Sequence, residues 1–355
     1  MAHQSIAIHI DEPNHEKIWR DALASQAMST SSLSGDGYGL KRALTTGSRG
    51  RGNSLLLTTS QQIRNEGISI PQFVAWLNAE FPGMRLACLL LNRLEFGVHE
   101  TAWADRHGVL LIPASSRRFL SATILPGLNK IVQVMKNKPA NAVQLEQFMR
   151  VLLANDVAPS TDHSAYQLVE MLASRRIDCV QICEALMANA GALINDRQYR
   201  GKTYRHCMVA SDVVSFIAKT FSLDRSLATS AGKALQHFGW IHHSMREQTF
   251  RDENLYFRLS GTPDKMKKIN LDEVVLAMRD DSSGIISNRQ YLGKTYSACL
   301  IGNEAIDWLM SRYGLDVGAA ETVGQSLIDL GFLHHVVDQH QFVDFAYYYR
   351  FLANE

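Results

Sequence analysis

INDRQYRGKTYRHCMVASDVVSFI runs from Ile194 to Ile217, and ISNRQYLGKTYSACLIGNEAIDWL runs from Ile286 to Leu309. The two stretches are one sequence written twice, 92 positions apart (286 − 194). Arg197, Gln198 and Tyr199 match Arg289, Gln290 and Tyr291, and the run Gly201 to Tyr204 matches Gly293 to Tyr296. The register continues without a gap. Gly239 matches Gly331, His242-His243 matches His334-His335, Phe250 matches Phe342, Asp252 matches Asp344, and Arg258 matches Arg350. A repeat of this length is a structural unit and is read before anything else.

The second copy shows what one unit contains. Leu271 to Met278 has helical apolar spacing, and DDSSG from Asp280 to Gly284 ends that helix. Alternation around Gly293 predicts a hairpin arm over Ile286 to Tyr296. Asn303 is the expected cap of a second helix, whose apolar face is Ala305, Ile306, Trp308 and Leu309. Ala319 to Leu330 reads as a third helix, stopped by Gly331. Phe332 to Val337 and Gln341 to Phe351 read as the two strands of a wing.

This order, with NRQYLGKTYSACLIGNEAIDWL and the closing FVDFAYYYRF from Phe342 to Phe351, resembles the DEP domain family. The first copy departs from the pattern at Ala210, Ser215 and Phe216, where the second has Gly302, Asp307 and Trp308. The resemblance implies winged-helix units at 173–262 and 268–355. It also implies a role in intracellular signalling, in which such domains recruit proteins to anionic lipid or to receptor tails.

Upstream, strands and helices alternate, which predicts a doubly wound parallel sheet. Strands are expected at Ile6 to Ile10, Ser54 to Thr58, Arg85 to Leu91 and Gly108 to Ile112, and helices at 14–27, Pro71 to Phe81 and Arg117 to Met135. Met28 to Asn53, with GSRGRGN at its end, reads as a loop. Residues 1–138 resemble a response-regulator receiver domain. The resemblance makes Asp11 and Glu12 weak metal candidates. It also exposes what is missing: Thr58 and Thr59 stand where the phosphate-accepting aspartate belongs, Asn92 where a Ser or Thr is expected, and Ile112 where a lysine is expected. A phosphorylation-incompetent pseudo-receiver is the implied reading, because phosphoryl transfer needs the carboxylate nucleophile and the cation. Residues 139–172, including the amphipathic NAVQLEQFMRVLLAND, read as a helical connector.

Bulk properties fit an adaptor. The chain has 355 residues, net charge +1 and 46% apolar residues. The N-terminal MAHQSIAIHIDEPN lacks the pattern of a signal peptide. The expected location is cytoplasmic or peripheral to a membrane. The five cysteines are widely spaced, so buried thiols are expected rather than a disulfide framework. No nucleophile elbow, phosphate-binding loop or zinc-protease helix is present, so no catalytic residue and no cofactor is assigned. The His-His pairs recur at equivalent positions and read as structural.

The arms carry the candidate binding residues. These are Arg197, Tyr199, Arg200, Lys202 and Arg205 in the first copy, and Arg289 and Lys294 in the second. From Ile194 to Leu259, Lys and Arg exceed Asp and Glu by ten to six, whereas from Ile286 to Glu355 the ratio is four to eight. Opposite fields steer different partners. The expected partners are proteins or an anionic membrane surface. The acidic copy pairs with the first copy, with the receiver-like domain or with another chain, which includes a homo-oligomer. The rival reading is a winged-helix DNA-binding regulator. It would need a cationic third helix, and Ala319 to Leu330 carries none.

Overall fold

The computed structural model describes residues 5–33, 39–46, 52–91, 96–114, 120–136, 138–141, 143–144, 147–148, 172, 175, 177–261 and 263–352. The described residues form two compact units, one holding a parallel sheet and the other two antiparallel sheets.

The first unit runs β1 (Ser5–His9), α1 (Pro13–Ser25), β2 (Ser29–Ser32), α2 (Leu40–Thr45), β3 (Asn53–Thr59), α3 (Ser60–Asn65), α4 (Ile70–Glu80), β4 (Arg85–Leu91), α5 (Val98–His107), β5 (Val109–Ala114) and α6 (Leu120–Lys136). The strand order is β2-β1-β3-β4-β5, and the paired strands are parallel. That is the doubly wound order shared by flavodoxin-like folds and response-regulator receivers. The SLLLT and LACLLL runs are nearly wholly apolar because these strands are covered on both faces. Ile6, Ile8, Leu55 and Leu57 meet Trp19, Ile112 and Leu128 in the core.

The expected loop over Met28 to Asn53 is corrected in its described part, which holds β2 and α2. β2 is Ser-Thr-Ser-Ser on the sheet edge, where no apolar alternation is needed, so periodicity could not reveal it. GSRGRG (47–52) falls largely outside the described residues, as do Asn92 and most of the 139–172 connector.

The second unit holds both repeats. The first copy comprises α7 (Cys179–Ala188), α8 (Ala190–Leu193), β6 (Asn195–Tyr199), β7 (Lys202–Val209), α9 (Ala210–Thr220), α10 (Arg225–His237), β8 (Ile241–His243) and β9 (Tyr256–Leu259). After α11 (Pro263–Lys267), the second copy comprises α12 (Leu271–Arg279), a short 3₁₀ turn, β10 (Ser287–Tyr291), β11 (Lys294–Ile301), α13 (Gly302–Tyr313), α14 (Val317–Asp329), β12 (Leu333–His335) and β13 (Tyr348–Phe351). Strand orders β6-β7-β9-β8 and β10-β11-β13-β12 are the same topology.

The repeat extends to unusual backbone geometry. Arg200-Gly201 and Leu292-Gly293 both have positive φ, as a two-residue hairpin requires. His206 and Ala298, at φ 52 and 49, form matching irregularities in β7 and β11. The Asp196 and Asn288 side chains stabilise them by accepting the His206 and Ala298 amides at 2.9 and 3.0 Å.

Asn303 does not cap α13: the helix begins at Gly302, and Asn303 lies inside it. The first amides of α13 are instead satisfied by wing carbonyls. Gly302 donates to Tyr347 O at 2.9 Å and Asn303 donates to Phe345 O at 3.1 Å. Ala210 and Ser211 do the same with Leu255 and Glu253 in the first copy. A backbone partner makes a capping side chain unnecessary. The second wing strand is shorter than expected, starting at Tyr348 rather than Gln341.

Candidate interaction surface and the tandem joint

The arm tips are exposed in both copies but differ in character. The first tip presents Tyr199, 49% exposed, with the Arg200 guanidinium 5.2 Å from its ring centre. The second tip presents Tyr291 and Leu292, 58% and 84% exposed, beside exposed Lys294. Arg197 and Arg289 are half-buried at corresponding positions on β6 and β10, and Arg289 pairs with Glu304 at 2.5 Å.

The other two cations of the first arm face the second copy. Arg205 is held by Asp344 through Nε at 2.9 Å and Nη2 at 2.5 Å, and by Asp307 through Nη1 at 2.6 Å. Lys202 Nζ lies 5.1 Å from the Phe345 ring centre, and Tyr204 packs edge-on against the same ring at 5.5 Å. Six residues named from sequence therefore remain at or near the arm surfaces, and Arg205 lies in a joint between the repeats.

Behind Arg205 the joint is charged and buried. Arg258 and Glu321 are 1% and 0% exposed. Arg258 Nη1 donates to Glu321 Oε1 at 2.8 Å, and its Nε donates to Arg205 O at 2.8 Å. Glu321 also accepts from His242 Nε2 at 2.8 Å and from the Asp344 amide at 2.7 Å. Buried charge is tolerated only when it is paired and hydrogen-bonded in this way. Gly318 brings α14 against the end of β9, where a Cβ would fall on the Leu259 carbonyl oxygen.

The joint is one-directional. At the positions equivalent to Glu321 and Gly318 the first copy has Thr229 and Ser226, and at those of Arg205 and Arg246 the second copy has Ser297 and Asp338. Asp338 is used locally, 3.2 Å from His334 Nδ1. The bond from Arg258 Nε to Arg205 O is repeated within the second copy, from Arg350 Nε to Ser297 O at 3.1 Å. The carboxylate meeting Arg258 is thus an addition to a shared scaffold. One histidine of each pair has diverged likewise. His242 reaches across the joint to Glu321, whereas its counterpart His334 meets Asp338 of its own copy; the second histidines, His243 and His335, still pack alike on Phe257 and Tyr349.

Burial, aided by nearby Arg246 and Arg258, lowers the His242 pKa from 6.5 to about 4 despite the Glu321 contact. Burial likewise lowers that of His243 to about 4. Burial works against ionised Glu321, but Arg258 and His242 outweigh it and hold the carboxyl below its ordinary range. Both effects have one sign. A histidine with a depressed folded pKa takes up its proton more readily when unfolded, so stability falls as pH drops from about 6.5 towards 4. Between about pH 7 and about pH 5, His242 alone is expected to cost about 2 kcal/mol. Depression of the Glu321 pKa adds a loss at more acidic pH. Urea midpoints across that range check the expectation, with His242→Gln flattening the slope; a midpoint that rises on acidification contradicts it.

In the parallel-sheet unit, Thr58 is fully buried and donates to His9 O at 2.9 Å. Thr59 caps α3 by accepting the Gln62 amide at 3.2 Å. Ile112 is buried in the core. Asp11 is exposed, and Glu12 precedes α1 without a side-chain cap bond. Among the described residues, no group of three or more His, Cys, Asp or Glu side chains is placed to hold a metal. Four cysteines are buried and Cys179 is partly exposed. No helix among the described residues is long and apolar enough to cross a membrane.

Residues 191–259 and 285–351 match the family described as "Domain found in Dishevelled, Egl-10, and Pleckstrin (DEP)". The human "Phosphatidylinositol 3,4,5-trisphosphate-dependent Rac exchanger 2 protein" is 28% identical over 180 residues, covering 48% of this chain and 11% of that protein. The "Vacuolar membrane-associated protein IML1" of Eremothecium gossypii is 34% identical over 68 residues, 18% of this chain and 4% of that one. The chain thus spans only a small part of either relative. A Salmonella typhimurium RcsB response regulator aligns at 13% identity over 67% of this chain and 93% of that one, with a TM-score of 0.27, too low to bear on the fold.

Proposed function

With two DEP domains at residues 191–259 and 285–351 as the premise, we propose that this chain is a signal-transduction adaptor that acts by binding alone. Its docked DEP pair presents hairpin arms to a membrane surface or a protein partner. The pseudo-receiver unit is a regulatory or scaffolding element that does not take phosphate, since buried Thr58 and Thr59 are committed to backbone contacts.

The observation carrying the recruitment reading is the second arm tip. Leu292 is 84% exposed, with Tyr291 beside it and Lys294 next to the turn. An apolar tip flanked by an aromatic and a cation suits the water–bilayer interface, where aromatic rings and lysine stems both settle. Two relatives add support through their names, one for dependence on a phosphoinositide and the other for association with the vacuolar membrane. The DNA-binding reading is weakened further, because α14 lies against the first copy through Gly318 and Glu321.

Co-sedimentation of the full chain with phosphatidylcholine vesicles carrying one-third phosphatidylserine tests the proposal. Replacing Tyr291 and Leu292 together by Ser is expected to weaken binding at least ~10-fold, from the lost burial of two apolar side chains. Equal binding by the variant and the parent chain would remove the membrane reading and leave a protein partner for the arms.

A further inference from the structure

The joint occupies a cation that the first arm would otherwise offer to an anionic surface. Arg205 is held by two carboxylates of the second copy, while Lys202, resting over Phe345, stays exposed. Asp307 is itself 57% exposed in its side chain, so the joint also places negative charge beside the arm. We infer that the docked second copy masks the first arm from anionic bilayers, so that opening the joint and binding of the first arm to lipid are coupled. This rests on the recruitment reading and adds a regulation to it.

Lipid and the second copy compete for Arg205. A lipid phosphate and the Asp344 carboxylate offer a guanidinium the same charge-assisted, two-point contact. Arg205 cannot satisfy both. The first arm in the docked state offers Arg200 and Lys202, both exposed, and half-buried Arg197. In the released state Arg205 joins them. Each cation near an anionic surface contributes ~1 kcal/mol, so one more strengthens partitioning by roughly 5-fold. Linkage is reciprocal: a surface that favours the released arm must favour the open joint by the same factor.

The second copy supplies the comparison. Its arm has Ser297 where Arg205 stands. Its tip depends on Tyr291 and Leu292, which the joint does not cover. Binding by the second arm is therefore independent of the joint, and binding by the first is not. The two modes also differ in salt response, since binding through added cations weakens as salt rises.

The experiment uses the full chain and the same phosphatidylserine vesicles, with Tyr291 and Leu292 intact. Asp307→Ala with Asp344→Asn is expected to bind about 5-fold more tightly than the parent chain at low salt. Adding Arg205→Ala should abolish that gain. Asp344 is nearly buried, so Asp307→Ala with Phe345→Ala, at the rim, is run in parallel. If the first variant loses its native circular dichroism, the rim variant decides, with a gain of several-fold expected. No gain in the folded variants, or a gain that survives loss of Arg205, overturns the inference. Failure of the recruitment reading is seen separately, as binding by the parent chain that is indifferent to Tyr291 and Leu292.

Discussion

Replacing Glu321 by Ala is expected to lower the unfolding free energy by about 3–5 kcal/mol, the range for removing one partner of a buried ion pair. The reason is what is left behind. Arg258 would keep its charge at 1% exposure, and His242 and the Asp344 amide would each lose a partner at 2.8 and 2.7 Å. Thermal and urea unfolding of the purified chain measure the loss. The equivalent change in the first copy, Thr229→Ala, serves as the control. The Thr229 hydroxyl donates to the Arg225 carbonyl one turn earlier in its helix, so the change should cost under ~1 kcal/mol. Similar losses at the two sites would mean that Glu321 does not hold the joint.

Gly318→Val should be the second most damaging single change. The added Cβ falls on the Leu259 carbonyl oxygen, and backbone yields less readily than a side chain. Overpacking costs about 1–3 kcal/mol, and the rigid obstacle here places the cost near the upper end. The position belongs to the joint rather than to either core, so both copies should remain folded. Hydrogen exchange is expected to show protection lost in β8, β9 and α14 and kept in α9 and α13. Gly232 and Gly324 form a useful contrast. Each makes room for the ring of Phe250 or Phe342 inside its own copy, so substitution there should loosen one core and leave the joint to follow.

Much of this was legible in the residues. The 92-position register named both copies, and the arms, third helices and their glycine stops lie where spacing puts them. Edge strand β2 was not legible because STSS has no apolar face. The cap at Asn303 was misplaced because the wing backbone, distant in sequence, satisfies the helix amides.

The arms follow from the alternation around Gly293 and its counterpart Gly201, yet the joint that claims Arg205 shows in the sequence only as an imbalance of charge between the copies. Two local signals pointed further. Glu321 stands alone among Val317, Gly318, Ala319, Ala320 and Val323, and Arg258 interrupts the strand YFRL. A lone charge within an apolar pattern is usually buried against a partner. No rule of spacing says that the partner lies in the other copy, because that depends on how two finished domains meet.

The two DEP domains form one docked pair through Arg258 and Glu321. A double-mutant cycle with Arg258→Met and Glu321→Met in the full chain tests this. Each single change takes from a buried charge its nearest counterpart, leaving Arg258 only the more distant Asp344 at 3.5 Å when Glu321 is lost, whereas the double change removes both charges. A coupling of at least ~1 kcal/mol is expected, with the double variant more stable than the sum of its parts implies. Effects that add within ~0.5 kcal/mol would mean the two residues do not meet, and would contradict it.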